Sequence, residues 1–153
     1  MSYMNEIHIE HVMPPSDKKR LKEILLRLDE SIIPKLSERV DLDEYAEKLS
    51  ERAELFYVTS QGEDIGNCAI YLNSGTYGYI SSIAVLKEWQ GLGVGNLLWN
   101  QVLEFAIEKQ VRMIELMVYQ DNHNARKFYK KLGFRMVKQV GNWSRLKYAV
   151  FTC

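Results

Sequence analysis

The chain is poor in cysteine and proline, with two and three of these among 153 residues. Cys68 lies in an apolar run and Cys153 is the last residue, so the pair offers neither a disulfide framework nor a zinc-ligand spacing. Cys68 reads as a small buried hydrophobe. Long apolar runs are also missing: none reaches the ~18 residues needed to cross a bilayer. The N-terminal MSYMNEIHIE is acidic where a secretory leader is basic and apolar. Charge of one sign is lacking too, with 20 Lys plus Arg against 20 Asp plus Glu. Nucleic-acid binders draw most of their affinity from neutralised phosphates and usually carry a basic excess. His8 and His11, three apart on a strand, point to opposite faces and do not share a metal. These absences imply a cytoplasmic protein with no membrane, nucleic-acid or metal partner.

What is present is core material. Hydrophobic residues make up 46% of the chain and charged residues 26%, enough for one ordinary domain spanning 1–153. Ile7, Ile9 and Val12 predict a first strand, ended by Pro14 and Pro15. Ser16 or Asp17 caps a helix carrying Leu21, Ile24, Leu25 and Leu28 at helical spacing, which Pro34 interrupts or ends. Asp41 and Glu44 have capping-box spacing ahead of Tyr45, Ala46, Leu49 and Ala53. LFYVT, IGNCAIYL and the run Tyr77 to Val85 predict three antiparallel strands joined by the turns SQGED and NSGT. A glycine-rich turn then opens a helix through Gln110. RMIELMVY follows as a strand, then a helix from Asn122 to Leu132 stopped by Gly133. FRMVKQV and SRLKYAVF close the chain as a hairpin over Gly141 and Asn142. The order β-α-α-β-β-β-α-β-α-β-β predicts an α+β fold, a mixed and largely antiparallel central sheet flanked by helices.

The chemistry concentrates in ISSIAVLKEWQGLGVGNLLW. A helix N-terminus leaves backbone N–H groups unpaired and partly positive. Glycines there remove the side chains that would keep an anion away. The spacing G-x-G-x-G is wrong for a dinucleotide fingerprint, which needs G-x-G-x-x-G early in a βαβ unit. No Lys-Ser or Lys-Thr follows, as a nucleoside-triphosphate loop requires. A pyrophosphate turn of the form Q-x-x-G-x-G, or a glycine turn used only for packing, remains.

With QGLGVG, the preceding SSIAV, and DNHNARKFYKKLGF downstream, the chain resembles the GNAT superfamily of acetyl-CoA-dependent N-acyltransferases. The last segment matches through Asn122, Ala125, Tyr129, Lys131, Gly133 and Phe134, and the resemblance covers roughly residues 55 to 140. It implies acetyl-CoA as co-substrate, with no metal. It implies that Ile83, Ala84 and Val85 pair with the pantetheine arm as an extra strand would. Gly91, Leu92, Gly93, Val94, Gly95 and Asn96 would hold the pyrophosphate, Gln90 would brace the turn, and Asn122 would bond the cofactor arm. Tyr129 would lie by the thioester sulfur and return a proton to the leaving thiolate. Some relatives carry a Glu on the strand before the turn. Here that strand reads Tyr79, Ile80, Ser81, Ser82, and the base is unassigned. Glu115 could act through a water, or be a salt-bridged strand residue; His123 and a water chain are the other routes. Arg126, Lys127, Lys130 and Lys131 form a basic cluster that is either solvated or in contact with the cofactor's phosphates.

In this family the acceptor is gripped by the first two helices, their connection and the final hairpin. Arg39, Tyr45 and Trp143 are the candidates here, with Arg39 able to clamp a phosphate or carboxylate. The run IIPKLSERVDLDEYAEKL faintly resembles acetyltransferases of surface-polysaccharide pathways, which implies a small-molecule amine such as an amino sugar. The alternatives are a protein N-terminus or lysine as acceptor, or a non-catalytic acyl-CoA-binding module. Exposed strand edges leave room for a homodimer.

Overall fold

The computed structural model describes residues 6–72 and 75–151. Cys153 and, in the NSGT turn, Asn73 and Ser74 lie outside the described residues. The strands are β1 (Ile7–Val12), β2 (Glu54–Ser60), β3 (Glu63–Tyr71), β4 (Tyr77–Val85), β5 (Met113–Tyr119), β6 (Arg135–Val140) and β7 (Trp143–Ala149). The helices are α1 (Lys18–Leu28), α2 (Leu42–Arg52), α3 (Val94–Glu108) and α4 (His123–Leu132). The strands form one sheet in the order β1-β2-β3-β4-β5-β7-β6. Every neighbouring pair is antiparallel except β4 and β5. The element order and the mixed, largely antiparallel sheet are those expected.

Two residues of β2 show how the layers are built. Tyr57 faces α1, whose Arg20 guanidinium lies 3.8 Å from the ring centroid. The next side chain along, Phe56, points to the other face and meets Phe105 of α3 at 5.6 Å. Strand alternation thus sends neighbours into opposite helical layers. Covered on both faces, β2 and β3 are near-continuous apolar runs. Cys68 pairs with Phe56 and is fully buried, and burial pushes its thiol pKa up.

Local chemistry sets the ends. Asp17 accepts from the backbone N–H groups of Lys19 and Arg20, and Asp41 from that of Glu44, so each caps its helix. The α1 helix stops at Leu28, six residues before Pro34, so proline does not end it. Asp29 turns out instead and accepts from the backbone N–H and the hydroxyl of Ser37 at 2.8 and 2.6 Å. Partial burial opposes its charge, yet these bonds hold the Asp29 carboxyl below its ordinary value. The SQGED turn is tighter than expected. Gln61 and Gly62 both have positive φ, 51° and 79°, so a two-residue hairpin turn suffices. The third helix ends two residues early. Gln110 adopts φ 59°, while its N–H and that of Val111 reach back to Ile107 and Ala106, a left-handed C-cap.

Candidate active site

The site begins where β4 and β5 part. They pair in parallel only through Tyr77↔Met113, Gly78↔Ile114 and Tyr79↔Glu115. On its other edge β4 carries one extra residue, because Ile80 faces Ile70 while Ser82 faces Ala69. Ser81 is therefore bulged, and a bulge bends its strand. Past the bulge the Leu86 N–H donates to the Ile65 carbonyl on the β3 side. Alternation then turns the backbone groups of Ile83 and Val85 toward the fork. The Val85 carbonyl is taken by the Gln90 side chain, whose Nε2–H donates to it at 2.9 Å. Gln90 thus ties the glycine turn to the strand end. The groups of Ile83 and the Val85 N–H are left on the open edge, with Ala84 between them turned to β3.

The turn meets the helix at Gly93, whose φ is 84°; Gly91 has φ 78°. Both values suit glycine. Gly95 matters for a different reason. A Cβ there would lie 3.2 Å from Cζ of Phe128, so glycine lets α3 and α4 approach. No side chain caps the start of α3. The first-turn N–H groups of Val94, Gly95 and Asn96 precede the bond from the Leu97 N–H to the Gly93 carbonyl, and such groups are what a helix start offers to an anion. An uncapped helix start beside a forked strand fits the pyrophosphate and amide arm of acetyl-CoA.

Across the fork stands α4. The Asn122 carboxamide oxygen accepts from the Ala125 N–H at 3.2 Å and caps the helix, which leaves its NH₂ to reach a ligand. Tyr129 is 8% exposed and its ring packs against Phe128 and Phe134. Burial raises its pKa, so the hydroxyl stays protonated, as a proton donor must. Gly133, at φ 110°, ends the helix. His123, Arg126, Lys127 and Lys130 line a cleft of about 570 Å³ against β6 and β7. Phe128, by contrast, is the side chain that meets Gly95.

The opposite face of the fork gathers the acceptor candidates. Arg39, in the α1–α2 connection, lies with its guanidinium 4.9 Å from the Trp143 ring centroid on β7. Trp143 meets Tyr119 edge-on at 5.2 Å. Tyr45 of α2 shares a 2.6 Å hydrogen bond with the bulged Ser81, and burial pushes its pKa up to about 12. Glu115 accepts a hydrogen bond from the Tyr77 hydroxyl. It also lies 3.7 Å from Arg145 Nε and 3.9 Å from Lys147 Nζ. Its carboxylate is thus engaged by three partners. Tyr77, Ser81, Arg145 and Lys147 did not stand out in the sequence. The alternation Trp143, Arg145, Lys147 was the available signal, since residues two apart on a strand share a face.

Among the described residues no His, Cys, Asp and Glu group could hold a metal ion, and no helix is long and apolar enough to cross a membrane. A model of the acetyltransferase (GNAT) family matches residues 19–134. An uncharacterized N-acetyltransferase of Methanocaldococcus jannaschii is 37% identical over 67 residues, 44% of this chain and 30% of that protein. The chain therefore spans under a third of that relative's length. A thialysine N-epsilon-acetyltransferase of Bos taurus is 28% identical over 126 residues, covering 71% of this chain and 74% of that one. A GNAT family acetyltransferase of Elizabethkingia anophelis, solved with acetyl-CoA bound, superposes with a TM-score of 0.72 at 18% identity. It covers 95% of this chain and 99% of that one. With the forked strands, the glycine turn and the family match over most of its length, the chain belongs to the acetyltransferase (GNAT) family.

Proposed function

We propose that this protein is a cytoplasmic N-acetyltransferase, acting as one domain, that moves an acetyl group from acetyl-CoA to the primary amine of a small molecule, with an amino sugar as the candidate. The observation that carries the reading is the fork itself. An uncapped, glycine-lined helix start lies at one end, and a buried tyrosine stands beside it. Acetyl-CoA bound there supplies an acyl carbonyl and a thiolate leaving group. The Val94, Gly95 and Asn96 N–H groups hold the pyrophosphate, and Ile83 and Val85 pair with the amide arm. A backbone N–H near Val85 donates to the acyl oxygen. As the amine nitrogen bonds to the acyl carbon and the C–S bond breaks, Tyr129 gives its hydroxyl proton to sulfur and regains one from solvent. The amine proton leaves to water, and Glu115 keeps Arg145 and Lys147 in place. Support for a small acceptor comes from Arg39 and Trp143. Their contact joins the α1–α2 connection to the last hairpin across the acceptor end, where a peptide would need a gap.

Calorimetric titration of acetyl-CoA, with thiol release from mixed amines, tests this. Saturable binding is expected, lost in Gly93→Val with the circular dichroism of the fold kept. An unaltered protein that binds neither acetyl-CoA nor a longer acyl-CoA would sink the reading.

A further inference from the structure

The sheet face beneath Arg39 carries far more positive than negative charge. Partnered residues share a face, so the registers lay out rows across it. Tyr79, Glu115, Lys147 and Arg135 form one row, Met117, Arg145 and Lys138 a second, and Tyr119, Trp143 and Val140 a third. Arg39 adds a further cation from above, over the Trp143 ring. Glu115 is the only acidic residue in β4, β5, β6 and β7. Its single charge faces two cations at 3.7 and 3.9 Å, and the charges of Glu115, Arg39 and Arg145 all act on Tyr79.

Arg145 supplies a second observation. Its Nε–H is buried and has no hydrogen-bond acceptor. The nearest carboxylate oxygen, at 3.7 Å, is too far for a hydrogen bond. A buried guanidinium donor left unpaired costs free energy unless an acceptor arrives. Arg145 is 40% exposed as a side chain, so its fork of N–H groups is open to a ligand from the solvent side. Aromatic walls at Tyr79 and Trp143 flank the same space. Guanidinium forks match carboxylate and phosphate oxygens in pairs.

We propose that this face selects an acceptor whose amine carries an anionic group, carboxylate or phosphate, bound by Arg145 and Arg39 with Lys147 beside them. The inference rests on the acyltransferase reading and names the acceptor class of that same site. It accounts for the surplus of cations without assigning them to catalysis. Glu115 then serves as a positioning residue that keeps Arg145 and Lys147 in place until the anion enters.

The test compares matched acceptors by thiol release. Glucosamine against glucosamine 6-phosphate is the phosphate arm, and 6-aminohexanamide against 6-aminohexanoate the carboxylate arm. The anionic member of at least one pair should be preferred by about tenfold or more in kcat/KM, the worth of one charge-assisted hydrogen bond. The preference should lie in KM and weaken as salt is added. Arg145→Met should abolish it and Arg145→Glu should reverse it, while acetyl-CoA affinity by calorimetry stays unchanged in both. Whichever arm responds tells phosphate from carboxylate. Equal kcat/KM within both pairs would overturn the proposal, as would a preference that survives Arg145→Met combined with Arg39→Ala. If acetyl-CoA binds but no pair is turned over, the same pairs are titrated calorimetrically with acetyl-CoA present, and equal affinities overturn it. Loss of acetyl-CoA binding in the unaltered protein would instead remove the acyltransferase reading.

Discussion

β3 buries six consecutive residues, 65–70, whereas β6 exposes all six of its own. Both belong to one sheet. The first is covered by helices on both faces, and the second is an edge strand beyond β7. Apolar burial therefore concentrates in β2 and β3 and exposure in β6; in the proposed function the first backs the cofactor fork and the second borders the acceptor. A donor common to a whole family asks for one rigid seat, and a variable acceptor asks for a surface that tolerates substitution. Core positions are constrained by packing on every side, while an exposed strand can exchange side chains at little cost to folding.

Four substitutions break or sharpen this contrast. Tyr129→Phe, on the buried side, should lower kcat by about 10²–10⁴-fold, the usual range for a positioned proton donor. Acetyl-CoA affinity should hold. In the unaltered protein, kcat should not fall as pH rises to about 10, because burial raises the Tyr129 pKa above its ordinary value and the hydroxyl keeps its proton. A stopped-flow thiol assay across pH checks both statements, and a Phe variant at full speed removes Tyr129 from the reaction. Leu25→Ala, at a fully buried position of α1, should cost about 2–5 kcal/mol in urea unfolding. A loss near zero would show that the α1 layer is not part of the cooperative core. Glu115→Gln, on the acceptor side, should raise KM for the amine and leave the shape of the pH–rate profile alone. A vanished acidic limb, the loss of rate as pH falls, would make Glu115 the base after all. Met136→Ala, 60% exposed on β6, should shift stability by no more than about 0.5 kcal/mol. A large loss there would mean that β6 is covered in solution, and sedimentation would reveal the second copy.

The order of elements was legible because each carries its own local signal. Asp17, Asp41 and Asn122 announce helix starts, and Gly133 announces an end. The glycine turn was readable because positive φ restricts residue type so tightly, whereas Tyr129 drew attention through family likeness alone. The end of α1 was misplaced, since Pro34 is conspicuous in the chain while the Asp29–Ser37 hydrogen bonds that shape the connection join residues eight apart. The fork was legible only through family likeness. A bulge at Ser81 follows from how β3 and β4 align, and nothing within SSIAV marks the extra residue. Arg145 and Lys147 escaped notice because each is an ordinary charged residue on an edge hairpin. Their meaning arises when β7 is laid between β5 and β6, bringing Glu115 alongside.

Gly95 ties the start of α3 to the packing around Tyr129. Its missing Cβ is the space that Phe128 Cζ approaches, and Phe128 is the neighbour of Tyr129 on α4 in sequence and in ring packing. The two helices behave as a gauge block whose thickness is one hydrogen atom. A larger side chain at Gly95 would press on Phe128 and, through it, on the packing around Tyr129, so under the proposed function a change far from the acyl group should be felt in turnover as well as in binding.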